Sequence, residues 1–169
     1  TQNPIEQAGT YRLPEAQLDR FLVKTTIGYP DRRALTRILA GSAKPDRSKS
    51  LKTVITAPAV AQMADLAAGN HVEDSVLDYI GALVEATRSS PDTRLGVSTR
   101  GAIAMTRAAR VWAASRGRAY ALPDDVKELA EVVWAHRLVM DPDAEFSGAT
   151  ARGVITRALE ETPAPTTRL

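Results

Sequence analysis

From about residue 74 onward, apolar side chains recur at helical spacing. Val76, Ile80, Leu83, Val84 and Thr87 fall at i, i+4, i+7, i+8 and i+11, which on a 3.6-residue turn places them on one face. Ala104, Ala108, Val111 and Trp112 repeat the first four of these intervals, with the small polar Ser115 at the fifth. An earlier stripe of Val60, Met63, Ala64 and Ala67 runs into Gly69, which reads as a stop. A fourth helix starts at Pro123, whose ring suits a first turn. Asp124 and Asp125 sit there, where the helix dipole favours negative charge, and Val126, Leu129, Ala130 and Val133 form its apolar face. A fifth runs from about 149 to 161, with Val154, Ile155, Ala158 and Leu159 inward.

The first third of the chain reads differently. Asn3-Pro4 and Gly9 signal turns, and Pro14 opens a short helix reaching about Arg20. Residues 21–27 are apolar and β-branched enough for one short strand, closed by Gly28-Tyr29-Pro30. Asp31 is an N-cap for a helix over 32–40, with Leu35, Ile38 and Leu39 inward and Gly41 as its end. Residues 42–52 are polar and basic and read as a loop, and residues 162–169 as a tail. The expected fold class is mainly α, with one short strand and no internal repeat.

Composition narrows the chemistry. Hydrophobic residues make up 44% of the 169 while aromatics make up 5%, which favours closely packed helices with small side chains over a sheet. Without cysteine there is no disulfide, thiolate nucleophile or thiolate ligand, which fits a cytoplasmic home. A net charge of +2 from 22 basic and 20 acidic residues is too even to indicate a nucleic-acid or membrane surface. No run of 18 uncharged apolar residues and no basic-then-apolar leader occurs. His71 and His136 lack ligand-spaced partners, so no metal site is expected. Arg107, Arg110 and Arg118 read as a solvated face or subunit contact before a nucleic-acid stripe, and Trp112 and Trp134 as core or interface anchors.

Two segments carry a more specific signal. Thr1-Gln2-Asn3-Pro4-Ile5-Glu6-Gln7-Ala8-Gly9-Thr10 is followed at once by Leu13-Pro14-Glu15-Ala16-Gln17-Leu18-Asp19-Arg20-Phe21. This pair resembles the sensor-1 and arginine-finger segments of MoxR-type AAA+ ATPases. Residues 79–138, with Gly96-Val97-Ser98-Thr99-Arg100-Gly101-Ala102, Gly117-Arg118-Ala119-Tyr120-Ala121-Leu122-Pro123-Asp124-Asp125-Val126 and Ala135-His136-Arg137-Leu138, resemble the helical lid of the same family. Departures are the missing Pro between Ser98 and Arg100, Leu122 in place of a Thr-type cap, and Arg32-Arg33 in a first turn that is often acidic.

The resemblance implies a C-terminal part of such an enzyme. Residues 1–30 would end the nucleotide-binding core, 31–165 would form the α-helical lid, and 166–169 a tail. Neither a Gly-x-x-x-x-Gly-Lys-Ser/Thr loop nor an apolar strand ending in Asp-Glu occurs, and the first residue is not Met, so a truncated chain or proteolytic fragment is expected. The parent would hydrolyse ATP with Mg²⁺ in a hexameric ring and remodel client proteins, such as those with von Willebrand A domains. By itself the chain is expected to be inactive, because the phosphate cradle and Mg²⁺ ligands lie outside it.

Three residues carry the expected chemistry. Asn3, whose amide both donates and accepts, would hold a water beside the γ-phosphate as sensor-1, or else only form a turn with Pro4. Arg20, a five-donor fork at a helix end, would reach the neighbouring subunit's nucleotide, or else be a solvated side chain paired to Asp19 or Glu15. Arg100 in the first turn of a helix capped by Ser98 meets the positive end of the dipole, and a bound anion would relieve that conflict, as in a sensor-2; the plain alternatives are solvent or Asp92. A different class of function, a stand-alone helical module binding protein or nucleic acid, fits the arginine stripe and the tryptophans.

Overall fold

The computed structural model describes residues 13–41 and 51–166. The expected turns at Asn3-Pro4 and Gly9, and most of the 42–52 loop, lie outside them. In chain order the helices are α1 (Glu15–Leu18), α2 (Arg32–Ala40), α3 (Ala57–Ala68), α4 (Asp74–Ser89), α5 (Thr99–Ser115), α6 (Pro123–Trp134), α7 (Pro142–Phe146) and α8 (Ala151–Glu161). A 3₁₀ turn, Ala135–Arg137, extends α6. Two short strands, β1 (Thr93–Leu95) and β2 (Val139–Met140), pair antiparallel with Thr93 opposite Met140 and Leu95 opposite Val139. The chain is therefore mainly α-helical.

Side chains start most of these helices. Asp31 accepts the Ala34 N–H at 2.6 Å, Ser98 the Gly101 N–H at 3.0 Å, and Thr150 the Gly153 N–H at 3.1 Å. Leu122 cannot do this for α6. Instead Asp125 reaches back to accept the Leu122 N–H at 2.8 Å, and holds Arg118 through two hydrogen bonds of 2.8 and 2.5 Å.

The core lies among α4, α5, α6 and α8. Val76, Ile80, Leu83, Val84 and Thr87 of α4 are all buried, as their spacing predicts, and so are Val126, Leu129, Ala130 and Val133 of α6. In α8, Val154, Ile155 and Ala158 are buried and Leu159 is half-buried. The core face of α5 is turned from the expected one. Gly101, Ala104, Met105, Ala109 and Ala113 are buried, whereas Val111 is 55% exposed. A helix this rich in alanine has no unique apolar stripe, and the face of Gly and Ala permits closer approach than the face of Val and Trp.

Three other expectations need correction. Residues 21–27 form no strand; a strand needs a partner, and along this extended run the Lys24 N–H donates to the Val132 carbonyl at 2.9 Å. Leu35, Ile38 and Leu39 of α2 are exposed. In α3, Val60 and Met63 are 50% and 61% exposed and Ala67 is the residue buried. Periodicity shows that a face can be buried and leaves open what covers it. No helix of the described residues is long and apolar enough to cross a membrane.

The join between α4 and α5 is tightly fitted. Thr87 donates its hydroxyl to the Val84 carbonyl at 2.7 Å and accepts the Val97 N–H at 3.1 Å, so a buried loop amide is satisfied. Gly96 lies against the backbone of α4: a Cβ there would come within 2.6 Å of the Arg88 Cα and N. Gly96→Ala should therefore cost about 1–3 kcal/mol through overpacking that backbone cannot relieve. Gly81, inside α4 with open space around it, should respond in the opposite sense, Gly81→Ala stabilising by about 0.5–1 kcal/mol. Urea unfolding midpoints of the two variants give both signs.

Candidate functional site around Asp19

The end of α6 projects an arginine into the interior. Arg137 has a side chain only 1% exposed, yet every N–H of its guanidinium finds an acceptor. Nε donates to the Val133 carbonyl at 2.8 Å, satisfying one of the oxygens that a helix end leaves open. Nη1 donates to Asp19 Oδ1 at 2.8 Å and to the Asp19 carbonyl, and Nη2 to the carbonyls of Phe21 at 2.7 Å and Leu22 at 3.4 Å. Five donors meet five acceptors, four of them on the 19–22 run. Gly101 makes room: a Cβ there would stand 3.2 Å from Arg137 Cδ and 2.7 Å from Val97 Cγ1. The Gly101 carbonyl accepts the Trp134 indole N–H at 3.0 Å, which fixes α6 against the start of α5.

Asp19 is the hub. Its carboxylate accepts Ser98 Oγ at 2.9 Å, Arg137 at 2.8 Å and Arg100 Nη1 at 3.3 Å. The Ser98 hydroxyl is used twice, accepting from Gly101 as the N-cap of α5 and donating to Asp19. Burial pushes the Asp19 carboxyl up, but hydrogen bonds from Arg137 and Ser98, with the charges of Arg137 and Arg100, outweigh it and hold the group below its ordinary value. Its negative charge also lies where the α5 dipole favours an anion.

His136 completes the contact. Its Nε2 lies 2.9 Å from the Phe21 carbonyl, which can only accept, so the proton is on Nε2. Burial pushes the ring's pKa down, the Phe21 hydrogen bond offsets this in part, and the charges of Arg137 and Lys24 push it further down. The ring is thus neutral at pH 7, with Nδ1 buried and without a partner among the described residues.

Of the residues expected to carry chemistry, Arg100 is engaged by Asp19 rather than Asp92, which takes Arg157 at 2.9 Å. Arg20 is exposed, and the two carboxylates expected to pair with it are elsewhere: Glu15 faces Arg94 at 3.5 Å and Asp19 is in the clamp. Asn3 lies outside the described residues. Arg20 thus follows Asp19 in the chain, while Arg100 contacts the Asp19 carboxylate in space. Sequence reasoning missed the roles of Asp19 and Arg137. The available signal was an arginine standing amid Val132, Val133, Trp134 and Leu138, since a charge within an apolar run needs a partner.

The other candidates resolve into local contacts. Arg110 Nη1 donates to the Ala68 carbonyl at 3.3 Å, and Arg118 is taken by Asp125, whose hydrogen bonds raise the Arg118 pKa. Trp112 donates to Glu128 at 2.7 Å and lies under Arg116, 4.8 Å from its ring centroid, while Trp134 is core. His71 faces Glu73 at 3.1 Å. Among the described residues no group of three or more His, Asp or Glu could hold a metal ion.

Two family models match the chain: the ATPase family associated with various cellular activities (AAA) over residues 1–23, and the AAA lid domain over residues 85–158. It is 37% identical to the uncharacterised protein YeaC of Bacillus subtilis over 168 residues, 99% of this chain and 52% of that protein. It is 35% identical to Chaperone MoxR1 of Mycobacterium tuberculosis, covering 98% of this chain and 46% of the relative. A crystal structure of a provisionally assigned ATPase from Cytophaga hutchinsonii superposes with a TM-score of 0.86 at 30% identity, over 98% of this chain and 53% of that one. By these matches the chain carries an AAA lid domain and is a relative of the MoxR-type AAA+ ATPases. It spans about half the length of the relatives it matches. The clamp joins the two matched regions, with Asp19 from the first and Ser98, Arg100 and Arg137 from the second.

Acid should loosen this contact in two stages. His136 has a folded pKa below its ordinary 6.5, so its neutral form favours the fold above that pH and stability falls as pH drops through the depressed value. Asp19, lowered from 3.8, contributes above that value and is lost only in stronger acid. Thermal midpoints between pH 7.5 and 5 should therefore decline, and His136→Gln, which keeps an N–H for the Phe21 carbonyl, should flatten that decline. Asp19→Ala, which strips a buried guanidinium of its anion, should cost about 3–5 kcal/mol at neutral pH.

Proposed function

We propose that this chain forms the C-terminal part of an ATP-hydrolysing, chaperone-like remodelling enzyme, with residues 1–30 closing the nucleotide-binding core and 31–165 forming its helical lid. The observation that carries the reading is the state of Arg20. It is an exposed cation without an ion pair among the described residues, at the end of α1, and the backbone on either side of it is tied to α6. A solvated surface arginine would not need such anchoring. A group that must meet a phosphate on another subunit would.

Mg²⁺-ATP, when bound, supplies the γ-phosphoryl group that is transferred to water. The described residues fit the outer phosphate oxygens and not the metal: they offer guanidinium groups at Arg20 and Arg100 and no cluster of acidic ligands. Mg²⁺ and most of the nucleotide would be held by parts of the enzyme beyond this chain. Asn3 would orient the attacking water through its amide. Arg20 would neutralise charge developing on the equatorial oxygens across a subunit boundary, in a ring of six. Arg100 would respond to the γ-phosphate in the role of sensor-2. Its bond to Asp19 is long, at 3.3 Å, and its side chain is 57% exposed, so exchanging that carboxylate for a phosphate would cost little. Support for a remodelling role comes from the relative named as a chaperone. The client is proposed to be a protein such as one with a von Willebrand A domain, and the compartment the cytoplasm.

Two measurements on the full-length protein test these roles. Asn3→Ala should slow hydrolysis by about 10²–10³-fold with nucleotide binding nearly intact; unchanged turnover would remove the sensor role. Arg20→Ala subunits, mixed with subunits lacking their own P-loop lysine, should regain turnover at interfaces where an intact Arg20 faces an intact nucleotide site. Rings shown to be mixed yet still inactive would argue against action in trans.

A further inference from the structure

Arg137 takes the Asp19 carbonyl on one side of Arg20 and the Phe21 and Leu22 carbonyls on the other. His136 adds a second donor to Phe21, and the Lys24 N–H returns a hydrogen bond to Val132. The backbone around Arg20 is thus tied to α6 and the turn after it, while its side chain stands in solvent.

We propose that Arg137 is a positioning residue for Arg20: by fixing the chain on both sides of Arg20 to the end of α6, it makes the reach of the Arg20 guanidinium depend on where α6 sits. This rests on the reading that Arg20 acts on a neighbouring subunit's nucleotide. Arg100 does not do the same work, since among the described residues it bonds the Asp19 side chain and not the backbone beside Arg20, and it is largely exposed. Nor is stability a sufficient reason for Arg137, because a buried charge is weak evidence of stabilisation; apolar groups of equal volume often serve as well. What a guanidinium with all five donors engaged adds is one defined geometry. A transferred charge needs that, since a misplacement of about 1 Å can cost about 10²-fold in rate. The arrangement also links the two arginines. Asp19 is bound by Arg137 and Arg100 together, and α6 is fixed to the first turn of α5 through Trp134 and Gly101. Displacement of the helical unit that draws Arg100 away would therefore reach Arg20 through Arg137.

The test is a double-mutant cycle in the full-length, ring-forming protein, read as kcat and KM for ATP. Arg137→Lys keeps a positive charge against Asp19 but has a single nitrogen, which cannot reach every carbonyl of the 19–22 run. It should lower kcat by about 10²-fold, leave KM and ring assembly nearly unchanged, and cause no further loss when added to Arg20→Ala. An equal further loss in the Arg20→Ala background would mean that Arg137 acts independently of Arg20, and wild-type kcat in Arg137→Lys would overturn the inference outright. If Arg20→Ala alone keeps wild-type turnover, the reading of Arg20 falls and the inference with it; if Arg20→Ala is slow and Arg137→Lys is not, the inference alone falls. Should Arg137→Lys fail to fold, Asp19→Asn, of the same shape without the charge, takes its place in the cycle and is read by the same additivity.

Discussion

A guanidinium removed from water must find an acceptor for each of its five N–H groups, and Arg137 finds them in Val133, Asp19, Phe21 and Leu22. The course of residues 19–24 follows from that demand. Residues 21–27 have no sheet of their own, yet 21–24 are held because the Phe21 and Leu22 carbonyls answer a buried cation and the Lys24 N–H answers Val132. Four of the five acceptors come from one short run, so the ion pair with Asp19 and the course of that run depend on the same guanidinium. The other constraint is space. Gly101 leaves room for the Arg137 stem, and Gly96 lets the chain turn against α4, so α5 can begin where its capping serine meets Asp19.

How much of this could be read from the chain depends on which residues carry the signal. The α4 and α6 stripes were legible because Ile80, Leu83, Val126 and Val133 are large and apolar and their opposite faces are charged. The Ser98 and Asp31 caps were legible because a short oxygen-bearing side chain before a periodic run has few other uses. The α5 face was not, since Ala109 and Ala113 are as small as the alanines on the outer side, and closeness of approach rather than apolar area decided which were buried. The stripes of α2 and α3 gave the right helices without telling what lies against them. The clamp was least legible. Asp19 and Arg137 are 118 residues apart, and no local rule joins them; both stand in motif segments, and their physical task comes only from the fold that puts them together.

The motif resemblance gives Arg20 and Arg100 separate roles, an arginine finger toward a neighbouring subunit and a sensor-2 for the γ-phosphate. The geometry adds that one aspartate adjoins both, next to Arg20 in the chain and against Arg100 in space. Asp19 sits one residue from Arg20 and within 3.3 Å of Arg100, so the charge relieving the unfavourable position of Arg100 in the first turn of α5 comes from the chain itself. The expected conflict with the helix dipole is met by a carboxylate, and no bound phosphate is required to explain why an arginine is tolerated there.

That carboxylate is held unequally by its two arginines, and the inequality bears on which contact can exchange. An exposed pair at 3.3 Å contributes on the order of 0–1 kcal/mol and is weakened further by salt. The buried pair with Arg137 cannot open without leaving a cation away from water, which costs several times more. A competing anion near the start of α5 would therefore draw off Arg100 while Asp19 remained bound to Arg137 and to Ser98. Losing Arg100 would not free Asp19. It would leave the 19–22 run attached to α6 through Arg137, so the arginine that senses a phosphate could change partners while the backbone carrying the other arginine kept its anchor.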